Sequence, residues 1–262
     1  MKTIMLKGGL GNQLYQIAAI NAYCKDNDEE FFFDYRSRFV CGQGKHPANY
    51  RDNFYKHIKT GELTSEFELQ VDPTFNYKQI EKTDKKVCYE GYYQSWKYFD
   101  KYRNELNDWF GFDMNLYDKI NSKLENIREK TGKQIVGVHV RRGDYTHNPA
   151  IHPATPISFY EKAKKHFDNH IFLYATDDFN SISKDFKFDD ENIFINGEDE
   201  MTDFYTLMLC DASIIGNSTF AAWATYLGKE KSKIIAPIPW FGPEGPDFSD
   251  LIDKTWTVIN ND

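Results

Sequence analysis

Residues 136–145 read VGVHVRRGDY, and this stretch decides the fold. Val136, Val138 and Val140 form an apolar, β-branched run of the kind found in a buried strand. Polar chemistry gathers at its end: His139 lies within the run, and Arg141, Arg142, the turn residue Gly143 and Asp144 follow it. In an open α/β sheet, ligands bind outside the carboxyl ends of the strands. Two guanidinium groups placed there suit an anion, and a diphosphate site is expected. A surface ion network of the same residues is the competing reading.

Working outward, the chain after residue 134 alternates regularly. QIVGVHV reads as a strand, PISFYEKAKKHF as a helix, HIFLYAT and NIFING as strands, and DFYTLMLCD as a helix. ASIIGNS (strand), TFAAWATYLG (helix) and KIIAPIPW (strand) follow. This alternation predicts a mostly parallel sheet in a doubly wound unit. Three of its strands end in polar clusters: Arg141 to Asp144, Thr176-Asp177-Asp178, and Gly216-Asn217-Ser218-Thr219. Ser218 and Thr219 stand where a strand gives way to a helix, so their hydroxyls and the free N–H groups beyond them can meet phosphate oxygens; plain N-capping is the alternative. Asp177 can accept hydrogen bonds from a purine or a ribose, or cap a helix. Paired aspartates can also hold a divalent cation on a diphosphate. Asp177-Asp178 lacks a D-x-D spacing, however, and two arginines already offer fixed charge, so no metal, no other cofactor and EDTA-insensitive activity are expected.

The N-terminal part opens with a strand over Thr3 to Leu6, a glycine-rich turn from Gly8 to Gln13, and the helical pattern LYQIAAINAYCK. Gly9-x-Gly11 is present, but Leu14 stands where a dinucleotide fingerprint has its third glycine, and no Walker lysine follows. The turn either lets backbone N–H groups approach a ligand or is simply tight. EFFFD at 30–34 reads as a second strand. Residues 35 to 85 hold no sustained period, with short strands in FELQVDPTF broken at Pro73. KVCYEGYY reads as a strand, and residues 94–99 lead into a helical stretch. Residues 116–130 place Leu116, Ile120, Leu124 and Ile127 at helical spacing, closed by Gly132. The domain boundary is therefore expected at residue 132, giving domains 1–132 and 133–262.

Composition bounds the function. With 32 Lys plus Arg against 40 Asp plus Glu, a formal charge of −8 argues against nucleic acid as the main partner. Any anion must be held by a local cluster. The 16% aromatic share suits carbohydrate contact or an aromatic-rich core. Cys24, Cys41, Cys88 and Cys210 show no C-x-x-C spacing, which predicts reduced thiols in a cytoplasmic protein. The N-terminal apolar stretch is too short for a signal sequence, and no window approaches a membrane span. Peripheral contact with the inner membrane stays open.

Four segments together carry a resemblance: HVRRGDY at 139–145, GGLGNQLYQ at 8–16, GYYQSWKYF at 91–99, and DFYTLMLCDASIIGNSTFAAWATYLG at 203–228. They resemble the bacterial α-1,2-fucosyltransferases of glycosyltransferase family eleven, whose H-x-R-R-x-D motif is shared by a wider fucosyltransferase superfamily. The resemblance implies an α/β protein of GT-B type, with two Rossmann-like domains facing a cleft, the first on the acceptor side and the second binding the GDP-sugar. It implies transfer of L-fucose from GDP-β-L-fucose to the 2-hydroxyl of a terminal galactoside, in an oligosaccharide or glycolipid, with inversion. Arg141 and His139 would contact the diphosphate, Asp177 the guanosine, and Ser218 and Thr219 phosphate oxygens, with Asn217 beside them. Arg142 would share the site with a more structural part. Gly9, Gly11, Asn12 and Gln13 would approach the donor from the first domain. Asp144 or His152 would serve as general base, or Asp144 would orient an arginine. Residues 35 to 85 and the loop THNPAIHPATP, with His147 and His152, would choose the acceptor. STFAAWATYL departs from the tryptophan-richer S-S-F-S-W-W-G of relatives, and Ala221-Ala222 would remove bulk near the nucleotide. A GDP-L-galactose user or another GDP-hexose transferase is therefore one alternative, and a noncatalytic nucleotide-sugar binding protein another. Intact Arg141, Asp144 and glycine turn favour catalysis.

Overall fold

The computed structural model describes residues 1–36, 44–146, 148–195 and 199–261. They form two compact units. One comprises Met1–Asp113 with Asp247–Asp253, and the other Met114–Pro246 with the C-terminal residues from Lys254.

The first unit holds β1 (Lys2–Ile4), α1 (Leu10–Asp26), β2 (Glu68–Val71), β3 (Val87–Glu90) and the short α2 (Leu106–Trp109). Its strands pair in parallel in the order β1-β3-β2. α1 buries residues on every side, including Leu14, Ile17, Ala18 and Ile20, as expected of a helix that is apolar nearly all round. Lys2 is also buried. Its ammonium is satisfied by Glu29 and by the carbonyls of Thr83 and Lys85. EFFFD does not form the expected strand. It makes only single parallel bridges, Lys2 to Phe31 and Phe33 to Thr60. Asp34 then turns the chain, its carboxylate accepting from the backbone N–H groups of Arg36 and Leu63. The segment Asp247–Asp253 joins this unit through polar ties. Asp250 accepts from the Tyr77 N–H and pairs with Lys97, the Trp96 indole N–H donates to the Ile252 carbonyl at 3.0 Å, and Arg103 pairs with Asp253.

The second unit runs α3 (Met114–Thr131), β4 (Gln134–Val140), α4 (Ile157–Lys164), β5 (His170–Thr176), α5 (Phe179–Asp185), β6 (Asn192–Phe194), α6 (Glu200–Leu209), β7 (Ala212–Ile215), α7 (Thr219–Tyr226), β8 (Ile234–Ile238) and β9 (Thr257–Asn260). All six strands are parallel, in the order β6-β5-β4-β7-β8-β9. The core centres on β4, where Val136, Val138 and Val140 pack with Phe159, Tyr160, Ile214 and Ile235. From β4 the chain steps outward through β5 to β6, then returns to pair β7 on the other flank of β4. The strand order thus reverses between β4 and β7, and a doubly wound sheet opens its ligand crevice at such a point.

The division between the units falls at Asp113/Met114 and not at the expected residue 132. α3 belongs to the second unit because Ile120 and Leu124 are buried there, Tyr117 packs edge-on to Tyr205 of α6, and Arg128 pairs with Asp211 and bonds the Leu209 carbonyl. Reading the glycine at the end of a helix as a domain end places the boundary one helix too late.

Candidate anion site at the ends of β4 and β7

The register that sets Val140 opposite Thr176 brings Asp177 alongside the arginine pair. Asp177 Oδ2 accepts from Arg141 Nη1 at 2.9 Å, and Oδ1 accepts from the Arg142 backbone N–H at 2.9 Å. A Cβ on Gly143 would lie 2.3 Å from Asp177 Oδ2 and would push that carboxylate aside. The two arginines then separate. Arg142 is buried, its Nη1 donates to the Thr155 carbonyl at 2.7 Å, and Nη2 reaches Asp185 at 3.5 Å, so it braces the scaffold and does not present its charge to a substrate. Arg141 keeps 29% of its side chain exposed and lies over the Tyr145 ring, 5.5 Å from its centroid. Both Asp177 oxygens serve the arginines, an arrangement that aims Arg141. Asp178 caps α5, accepting from the Ser181 N–H at 3.0 Å. The two carboxylates thus hold separate posts. Among the described residues no group of three or more His, Cys, Asp or Glu could hold a metal ion.

Across the switch point, Gly216-Asn217-Ser218 links β7 to α7. Asn217 is buried: its amide N–H groups donate to the carbonyls of Pro153 at 2.7 Å and Trp240 at 3.0 Å, while its Oδ1 accepts from Thr155 Oγ1 at 2.9 Å. This is scaffolding, not the substrate contact expected of it. Ser218 occupies the N-cap position of α7 with extended backbone, yet its side chain makes no capping bond. Thr219 is the first helical residue. Ordinary capping therefore does not account for the Ser218 hydroxyl. Ala221 and Ala222 are fully buried, packing inside the unit.

His139 is buried in β4 with Nδ1 lacking any hydrogen-bond partner, and its ring is tilted against Phe220 at 5.7 Å. Burial, and secondarily the Arg141 charge, lower its pKa to about 3, so the ring is neutral at neutral pH. His152 stacks on Tyr145 at 5.1 Å and meets the Phe241 ring at 5.5 Å. Asp144 lies in the turn Gly143–Thr146, with its side chain outside what the structure describes, and His147 lies outside the described residues.

Two residues escaped the sequence reading. Asp203, in the first turn of α6, has a buried Oδ1 without a partner, and burial, aided by Asp199, pushes its pKa up to about 7. Its neighbour Phe204 packs edge-on to Phe220 at 5.1 Å, and Phe220 in turn faces His139. An aspartate opening an otherwise apolar helix, DFYTLML, was the available signal. Tyr145, the other, closes HVRRGDY.

The polar side chains of the glycine turn are bonded to other groups of the first unit. Gly8 has φ +81°, and a Cβ there would lie 2.3 Å from Asn12 Nδ2. α1 starts at Leu10, so Gly11, Asn12 and Gln13 fall in its first turn. Gln13 is buried, donating to the carbonyls of Gly8 and Lys45 at 3.0 Å each and accepting from Tyr55 Oη at 2.9 Å. Asn12 Oδ1 accepts from Gln94 Nε2 at 2.8 Å. A Cβ on Gly9 would meet nothing within 4 Å. Gln13 is therefore a clasp, not the donor contact expected of it.

Parallel sheets in both units, with polar side chains gathered at the strand reversal of the larger, define an α/β protein with a fold of GT-B type. The signature of glycosyl transferase family 11 matches residues 1–260, and the chain belongs to that family. It is 26% identical to an Escherichia coli alpha-1,2-colitosyltransferase, over 97% of each chain. It is 24% identical to the Bos taurus galactoside 2-alpha-L-fucosyltransferase SEC1, covering 86% of this chain and 64% of that one. Its fold is similar to that of NodZ, an alpha-1,6-fucosyltransferase crystallised with GDP, with a TM-score of 0.54, 14% identity, and 85% of this chain and 91% of that one covered.

Proposed function

We propose that this protein is an inverting glycosyltransferase that moves L-fucose from GDP-β-L-fucose to the 2-hydroxyl of a terminal galactoside, forming an α-1,2 linkage. The observation that carries the reading is Arg141, partly exposed at the strand reversal and aimed by Asp177. The names of the bovine relative and of NodZ support the fucosyl donor. When the bond from the sugar C1 to the β-phosphate oxygen breaks, that oxygen gains charge. A guanidinium, a hydroxyl such as that of Ser218 and helix N–H groups oppose that charge where it develops. His139 stays neutral and contributes through Nδ1 as a hydrogen-bonding group. Asp203 supplies an acceptor suited to the N–H groups of a purine. The proton of the attacking hydroxyl passes to Asp144 or His152, and a dissociative transition state lowers the demand on either. A cytoplasmic setting suits the free, buried thiols of Cys24, Cys88 and Cys210; Cys41 lies outside the described residues.

The colitosyl relative favours a second reading, in which the donor is GDP-colitose, whose sugar is the 3-deoxy form of L-fucose. Transfer assays with GDP-L-fucose, GDP-colitose and GDP-L-galactose on lactose and N-acetyllactosamine, with and without EDTA, separate these readings. GDP-L-fucose is expected to give at least about 10-fold higher kcat/KM than the other two, in line with a donor hydroxyl being read by hydrogen bonds. Faster turnover of GDP-colitose would shift the assignment, and no turnover of any donor would sink it.

A further inference from the structure

We infer that Tyr145 is a positioning residue that holds Arg141 ready for the leaving diphosphate and ties the ends of β4 and β7 together; this rests on the reading of Arg141 above. Three parts of the unit meet at one phenol. Its ring lies under the Arg141 guanidinium, with Cζ 5.5 Å from the centroid. A guanidinium over the face of a ring is attracted by the ring while its N–H groups stay free to donate, so the ring contact, the Asp177 contact and anion binding are compatible. The Tyr145 hydroxyl donates to the Asn217 carbonyl at 2.9 Å, one residue before Ser218 and the start of α7. Asn217 is a firm anchor, since its own side chain is bonded to Pro153, Trp240 and Thr155.

The Tyr145 ring also stacks on His152, with planes inclined by 23°. His152 belongs to the loop that runs to Pro156, and that loop is pinned by the same Asn217 through Pro153 and Thr155. One side chain thus orders the cation at the end of β4, the helix start after β7 and the loop that carries His152. Arg141 is held by Asp177, and the Tyr145 ring adds a restraint from its face. Groups held within a narrow geometry by their surroundings lose little freedom when the transition state forms.

Two variants separate the duties of this residue. Tyr145→Phe keeps the ring and loses the bond to Asn217, whereas Tyr145→Leu loses both, so the difference between the two variants reports the ring. Calorimetric titration with GDP and steady-state kinetics, each beside a thermal melt, give the readouts. Tyr145→Leu is expected to bind GDP about 5–10-fold more weakly and to lose about 10–100-fold in kcat, the scale of a misplaced catalytic group. Tyr145→Phe is expected to keep GDP affinity within about 2-fold and to raise the acceptor KM about 3–10-fold, the scale of one lost hydrogen bond. In an Arg141→Ala background the Leu change should add almost nothing to the loss of GDP affinity, because for that property the two residues act through one contact. Lower melting temperatures with unchanged GDP affinity, KM and kcat in the folded fraction would overturn the inference, as would additive losses of GDP affinity in the double variant. Wild-type protein that binds no GDP would overturn the reading of the site and the inference with it; GDP binding unchanged in Tyr145→Leu would overturn the inference alone.

Discussion

The glycine turn of the first unit and the strand end of the second both place glycines and polar side chains at a strand–helix transition, yet their side chains are used differently. In the turn, the Gln13 amide is spent on Gly8, Lys45 and Tyr55, and Asn12 accepts from Gln94, whose own Oε1 is buried without a partner. In the second unit, His139 Nδ1 on β4 and Asp203 Oδ1 on α6 are buried without partners as well. Buried polar atoms are nearly always satisfied, and an orphan needs an explanation such as a ligand. The contrast teaches that a glycine-rich turn is weak evidence of binding when its side chains close on themselves. Arginines fixed from the side by a carboxylate and a ring are stronger evidence.

The largest effect that would sharpen this contrast is expected from Gly143→Ala. Its Cβ would fall 2.3 Å from Asp177 Oδ2, displacing the carboxylate that aims Arg141. Turnover should drop about 10–100-fold with the fold retained, as expected when a catalytic group shifts by a fraction of its contact distance. Wild-type kinetics in this variant would show that the Asp177 contact is incidental. Next comes Gln13→Leu, which strands the Gly8 and Lys45 carbonyls and the Tyr55 hydroxyl. It should cost about 1–3 kcal/mol in urea denaturation, the penalty for unsatisfied buried groups, while leaving donor KM within about 2-fold. A large rise in donor KM without loss of stability would break the comparison, because it would make the turn a binding site.

The smallest effects concern pH. His139 has its pKa lowered on folding, so its contribution to stability is present above about 6.5 and is lost as pH falls below that value. Asp203 has its pKa raised from 3.8 to about 7, so its contribution is present at low pH and is lost as pH rises through 7. Between pH 7.5 and 5.5 the two oppose each other, each by about 1–2 kcal/mol. Urea denaturation at both pH values should show Asp203→Asn losing stability on acidification and His139→Gln gaining it. Parallel pH dependence in the two variants would contradict this assignment.

Much of the second unit was legible because its strands are central. A strand buried on both faces must be apolar throughout, and VGVHV, IFLYA and ASII are so with little ambiguity. The elements that escaped are those that burial does not mark. β9 is a mostly exposed edge strand, and α5 is only seven residues long. EFFFD misled because two buried phenylalanines suit a strand as well as a pair of single bridges. At the site, residue types identified the arginine pair, but no spacing in the chain says that Arg142 turns inward to Thr155, or that Asp177 faces Arg141 from the next strand. Those facts depend on register between strands some 35 positions apart in the chain, which local patterns do not encode.

Under the proposed function, the strand end at Arg141, and not the Gln13 side chain of the glycine turn, holds the nucleotide. Calorimetric titration of GDP into wild type, Arg141→Ala and Gln13→Leu tests it most directly. The account predicts that Arg141→Ala weakens GDP binding by at least about 30-fold, the scale of a lost charge-assisted contact to phosphate, while Gln13→Leu leaves it within about 2-fold. Equal affinity in wild type and Arg141→Ala, or a loss confined to Gln13→Leu, would contradict it.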